Sequence, residues 1–145
     1  MDIAFGEAEQ AAQRGEVPVG AVLVEKDTRR ILAKSGNRVE ELNDPTAHAE
    51  ILVIRKAAKE RGVPRLIDTD LYVTLEPCAL CAAAISFARI HSVYYAALDP
   101  KGGAIDHGPR FFNQATCHHK PILFGGLDQE RSAALLRQFF SSKRI

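Results

Sequence analysis

The chain has 145 residues, 46% of them hydrophobic and 26% charged, and its 19 basic and 18 acidic side chains leave a formal charge of +1. A chain of this length buries roughly 68–70% of its unfolded surface, so a core can form without staples. The composition excludes a disordered tail, a collagenous repeat and a membrane bundle, and the charge lacks the basic excess of a dedicated nucleic-acid binder.

No apolar run approaches the ~18 residues of a membrane span. The first ten residues carry acids where a secretory signal carries bases, so none is expected. The odd set Cys78, Cys81 and Cys117 argues against a disulfide framework and for a reducing, cytoplasmic setting.

In chain order, Asp2 to Arg14 reads as a helix stopped by Gly15. The β-branched stretch Val19 to Glu25 reads as a strand. A turn over Asp27 to Arg30 returns it as Ile31 to Ser35, and a loop follows. His48 to Arg61 is a helix closed by Gly62, and two caps compete for its start: Asp44 with Pro45, or Thr46. Asp70 to Leu75 is a strand, Cys78 to Ala88 a helix opened by Pro77, and Ser92 to Ala96 another strand. Residues 99 to 119 are irregular, with room for a short helix. Ile122 to Phe124 is a short strand, and Asp128 caps a last helix from Gln129 to Phe140. Helices interleaved with strands predict an α/β fold, a three-layer α/β/α sandwich around a mixed sheet of about five strands. The later strands should be parallel crossovers, and residues 1–145 a single domain.

Two short segments carry the chemistry. His48-Ala49-Glu50 opens one helix, and Pro77-Cys78-Ala79-Leu80-Cys81 opens another directly after a strand. Cysteines three apart lie about 60° apart on a helix, so both thiols can reach one ion. The partial positive charge at a helix N-terminus favours thiolate. His48 and Glu50, two apart, cannot share a helix face, which suits different tasks: one binds a metal, the other works beside it. Tetrahedral zinc wants four ligands, and three protein ligands with an open position is the catalytic pattern. Glu50 is placed as the base for a water there.

His48-Ala49-Glu50 together with Pro77-Cys78-x-x-Cys81 resembles the signature of the zinc-dependent deaminases. Within that superfamily the chain is similar to the bacterial tRNA adenosine deaminases. The similarity runs through Val17 to Val22, Gly36-Asn37-Arg38, Asp44 to Ile51, Leu71 to Cys78, Ala97 to Ala104 and the closing helix with Phe139-Phe140. Leu80 stands where that branch usually has Met, Val39 where Pro often follows Asn-Arg, and residues 105 to 117 match poorly.

The resemblance implies a cytidine-deaminase-like fold and one Zn²⁺ per subunit on His48, Cys78 and Cys81. It makes Glu50 the general acid/base, and a metal-activated water the attacker at C6 of adenine, giving inosine. It further implies base contacts from Asn37, the Ala49 N–H, the Glu76 carbonyl and the apolar wall of Val19, and a sugar contact from Asp99. Its partner is a tRNA anticodon stem-loop with the target adenosine at the wobble position, and the enzyme is a cytoplasmic homodimer without a membrane anchor. RNA contacts from Lys101, Phe139, Phe140, Lys143 and Arg144 complete the expectation.

Plainer roles compete with several of these. Asn37 and Asp99 also read as turn residues, the aromatics of the last helix as core, and Lys143 and Arg144 as partners of the helix dipole. Cys117, His118 and His119 read as loop residues. The same zinc motifs would serve a deaminase of free guanine, cytosine or deoxycytidylate, or a non-catalytic zinc-stabilised module.

Overall fold

The computed structural model describes residues 1–143. Helix α1 (Asp2–Gln13) leads into strands β1 (Gly20–Glu25) and β2 (Ile31–Gly36). A single helical turn, α2 (Val39–Leu42), precedes α3 (Ala49–Arg61), β3 (Thr69–Leu75), α4 (Ala79–Ala88) and β4 (Ser92–Ala97). A long connection containing a 3-10 turn (Phe111–Asn113) reaches β5 (Ile122–Gly125) and the last helix, α5 (Gln129–Lys143).

The five strands form one mixed sheet in the order β2-β1-β3-β4-β5. β1 is antiparallel to both β2 and β3, whereas β3, β4 and β5 are parallel. The parallel pairs follow from the helical and looped crossovers that join those strands. The central strands are covered on both faces, and alternation along β1 divides them. Ala21 and Leu23 join the main core with Ala49, Val53 and Ile85 from α3 and α4. Val22 and Val24 face the other way, onto Ala4 of α1. α5 packs on β4 and touches α1. Among the described residues no helix is long and apolar enough to cross a membrane.

Several expectations shift. Residues 39–42 form a helical turn instead of loop because the buried Glu16 carboxylate accepts the N–H groups of Glu40 (3.1 Å) and Glu41 (2.9 Å). Neither Asp44 nor Thr46 caps α3: they bond to each other at 2.7 Å, and the first helical N–H, that of Ala49, is taken by Asn37 Oδ1 at 2.8 Å. Asp128 sits in the left-handed region (φ 50) and makes no side-chain hydrogen bond to α5 among the described residues. That helix is instead anchored by Ser132, whose buried hydroxyl donates to the Thr74 carbonyl on β3. The Thr74 hydroxyl in turn accepts the Gly20 N–H at 3.1 Å.

Gly20 lets α1 lie directly on β1. A Cβ there would stand 1.9 Å from the Ala4 carbonyl oxygen and 2.6 Å from the Ala8 nitrogen, both backbone atoms that cannot yield. Gly6, on α1, has nothing within 4 Å of the same position. In urea unfolding, Gly20→Ala should therefore destabilise by about 3 kcal/mol or more, the upper end of overpacking costs. Gly6→Ala should stabilise by about 0.5–1 kcal/mol, because alanine suits a helix interior better.

Candidate active site

The sheet's parallel half ends where α3 and α4 begin, the usual place for a cleft in an open α/β sheet. His48 is the residue before α3 and is extended (φ −73°, ψ 150°). Cys78 is the residue before α4 and is also extended (φ −75°, ψ 178°), while Cys81 lies in the first turn of α4. Both helices thus present their N-terminal N–H groups and positive dipole ends to one spot.

His48 Nδ1 is 3.5 Å from Cys78 Sγ and 3.4 Å from Cys81 Sγ. Zinc bonds of about 2.0–2.1 Å to nitrogen and 2.3 Å to sulfur give a tetrahedral N···S edge of roughly 3.5 Å. The donors already stand at ligand spacing. Among the described residues this is the one group of three or more potential ligands close enough to hold an ion, with all its ligand atoms within 4.8 Å of one another. Two thiolates and an imidazole are a zinc set, and a fourth protein ligand is lacking from it.

The three donors hold their protons unequally. The hydrogen bond from Cys81, and after it one from His48, outweighs burial and brings the Cys78 thiol down to about 4. The hydrogen bond to Cys78, together with burial, pushes Cys81 up. His48 is raised, chiefly by its hydrogen bond with Cys78. A dication releases the remaining thiol proton on binding. Glu50, 4% exposed, is pushed up to about 6 by burial. A carboxyl poised there can both take and return a proton near neutral pH.

A cleft of about 730 Å³ opens over these groups, and His48, Glu50 and Cys78 line it. Val19, Asn37, Glu76 and Asp99 form more of its wall, and Phe139, Phe140 and Lys143 of α5 line it as well. Widely separated sequence segments therefore meet at one hollow. Asp99 lines the cleft, and its Oδ1 accepts the N–H groups of Lys101 (3.2 Å) and Gly102 (3.0 Å) in its own turn. The aromatics of α5 are not core. Phe139 is half-buried and Phe140 is 46% exposed, since Ser132 is the one buried side chain on that helix among the described residues. Lys101 is exposed and does not line the cleft. The Ala49 N–H is engaged by Asn37 Oδ1 rather than turned to the cleft, because a buried helix start must satisfy its donors. Arg144 lies outside the described residues. Cys117 Sγ donates to the His119 carbonyl at 3.2 Å, and His119 Nε2 bonds the Ile90 carbonyl at 2.7 Å, both apart from the His48 group.

Three contributors escaped sequence reading. Arg14 Nη2 donates to the Asn37 carbonyl at 3.1 Å and braces that loop. Glu16 lines the cleft while holding α2. The Glu76 side chain accepts four hydrogen bonds from residues 99 to 107. Burial disfavours its charge, but the Asp99 N–H, His107 and the Asp106 and Ile105 N–H groups outweigh this and hold it below the usual carboxylate range. The Glu before Pro-Cys was visible in the sequence, but its partners were not.

Residues 1–97 match the cytidine and deoxycytidylate deaminase zinc-binding region. The chain is 59% identical over 145 residues to the tRNA-specific adenosine deaminase of Agrobacterium fabrum, covering 100% of this chain and 94% of that one. A solved structure from work on A-to-I editing by tRNA:A34 deaminases at the wobble position of transfer RNA superimposes with a TM-score of 0.91 at 59% identity, over 94% of this chain and 97% of that one. Guanine deaminase from Bacillus subtilis superimposes with a TM-score of 0.66 at 31% identity, over 99% of this chain and 91% of that one.

Replacing a ligand should weaken zinc binding by more than the roughly 10–100-fold that loss of an outer partner costs. Competition against a chromophoric chelator should show this for His48→Ala and Cys81→Ser, with Cys117→Ser unchanged. Wild-type affinity in Cys81→Ser would assign the ion to other residues.

Proposed function

This chain belongs to the cytidine and deoxycytidylate deaminase family and, within it, to the tRNA-specific adenosine deaminases, and on that premise we propose that it converts adenosine to inosine at the wobble position of a tRNA anticodon. The observation that carries the reading is Glu50, a buried carboxyl of raised pKa lining the same cleft as His48 and Cys78. His48, Cys78 and Cys81 would hold one zinc ion, which when bound supplies the acidity that makes a water nucleophilic at neutral pH.

The chain's own groups do the rest. Hydrolysis places a water oxygen on C6 of adenine and releases the exocyclic amine as ammonia. Glu50 takes one proton from the water, returns it to a ring nitrogen, and then passes the second to the departing amine. Asn37 has its Oδ1 committed to Ala49, so its amide NH₂ is the group left to donate to a purine ring nitrogen. Val19 provides an apolar side to the cleft and Asp99 a carboxylate for the ribose hydroxyl. The Glu76 carbonyl is the remaining base contact of this reading.

The C-terminal helix supports an RNA substrate over a free base. Exposed Phe140 beside Phe139, with Lys143 Nζ 5.4 Å from the Phe139 ring centroid, gives the cleft a stacking surface next to a cation. Splayed bases and phosphates are read by such pairs. Lys101 and Arg144 would add phosphate contacts. The 59% identity to a tRNA-specific enzyme, against 31% to a guanine deaminase, favours the same side. α4 leaves Leu80 (41%) and Phe87 (73%) exposed, seven residues apart and so on one face, which a second copy would cover as a homodimer. The reading takes residues 1–145 as one catalytic domain working in the cytoplasm.

Zinc-loaded protein should form inosine in an anticodon stem-loop carrying adenosine at the wobble position and should leave free adenosine untouched. Turnover of guanine, with none of the stem-loop, would overturn the RNA assignment. Glu50→Ala should keep its zinc and lose at least about 10²-fold in turnover. Wild-type turnover in that variant would remove Glu50 from the mechanism.

A further inference from the structure

Glu76 is buried, its side chain 0% exposed, at a point where the chain has no room for error: one residue after β3 and two before Cys78. Its backbone N–H donates to the Ala97 carbonyl at 2.8 Å, which ties the ends of β3 and β4 together. Its carboxylate faces the connection that leaves β4. Oε1 accepts the Asp99 N–H at 3.0 Å and His107 Nδ1 at 2.8 Å. Oε2 accepts the Ile105 N–H at 3.1 Å and the Asp106 N–H at 3.0 Å. Gly103 is packed so closely over the group that a Cβ there would lie 2.3 Å from Oε2. The Ala104 N–H then reaches back to the Pro77 carbonyl at 2.9 Å.

A connection this long with little secondary structure of its own has no internal reason to hold one shape. Here it is wrapped around a single carboxylate, and every partner of that carboxylate comes from the segment that begins with Asp99. Burying the charge is tolerable because four donors converge on it. We propose that the Glu76 carboxylate, with His107 as its side-chain donor, is the positioning device that sets the Asp99 wall of the cleft against the Cys78 metal ligand. The inference rests on the tRNA deaminase reading, which gives Asp99 its substrate contact. It assigns the Glu76 side chain, and not only its carbonyl, to the function, and it gives residues 105–107 a role.

His107 is the member that can be changed without disturbing the backbone. An Asn amide nitrogen overlays the Nδ1 position and can still donate, whereas Leu cannot. His107→Leu should raise KM for the anticodon stem-loop about tenfold, the scale of one lost hydrogen bond to a charged group, with kcat and bound zinc near wild type. His107→Asn should restore KM. Hydrogen exchange without substrate should show faster exchange at the Asp99, Ile105 and Asp106 amides in His107→Leu, and more so in Glu76→Gln, whose amide leaves one oxygen for four donors. Unchanged KM and amide protection in His107→Leu would overturn the proposal, as would equal impairment in Asn and Leu, or a loss of zinc with KM unchanged. If the wild type does not act on the stem-loop, the functional reading falls by itself, and the exchange experiment still decides whether Glu76 holds the loop.

Discussion

Two helices starting at the same point is the constraint on which the rest of this molecule depends. His48 and Cys78 are each the last extended residue before a helix, and the two starts lie side by side at the end of the parallel strands. Extended backbone at both positions frees the side chains to turn inward, and Cys81 comes round one turn later on the same side. That is why three donors separated by up to 33 positions stand 3.4–3.5 Å apart across the imidazole. The helix ends also supply the field that favours thiolate at Cys78.

The same geometry gives His48 and Glu50 different surroundings. One residue inside α3, Glu50 points to the cleft from a buried position and is driven toward neutrality by desolvation, while the first-turn dipole keeps the charged form within reach. A carboxyl in the same place on an exposed helix would be a fixed anion and a poor proton donor. Burial brings its titration toward neutral pH, the range in which a carboxyl can both take and return a proton.

Around this centre the walls are held by side-chain acceptors acting across long sequence separations. Asn37 closes the start of α3, Glu16 the start of α2, and Glu76 the connection after β4. Each is a buried or half-buried oxygen that meets backbone N–H groups lacking a partner in their own element. The logic is economical because these residues also line the cleft. Satisfying the backbone and shaping the cleft are one arrangement, so the cleft wall is as rigid as the hydrogen bonds behind it.

The short-range content of the fold was legible without coordinates. The β-branched stretch Val19 to Glu25 marked β1, and the positions of Gly15, Gly62 and Pro77 bracketed the helices. The three-residue cysteine spacing and the His-x-Glu pair picked out His48, Glu50, Cys78 and Cys81, which the fold brings to one place, because these features depend on geometry within one or two turns of chain. What the tertiary structure decided was which distant groups meet. The strand order, the antiparallel seat of β1 beside β3, the Asn37 cap in place of Asp44 or Thr46, the anchoring of α5 by Ser132 in place of Asp128, and the clustering of residues 99–107 on Glu76 all join segments far apart in sequence. Phe139 and Phe140 illustrate the division: the sequence put them at the end of the last helix, yet their place at the cleft follows from where α5 docks on β4. Local spacing sets which side of an element a residue occupies, and only packing sets what that side faces.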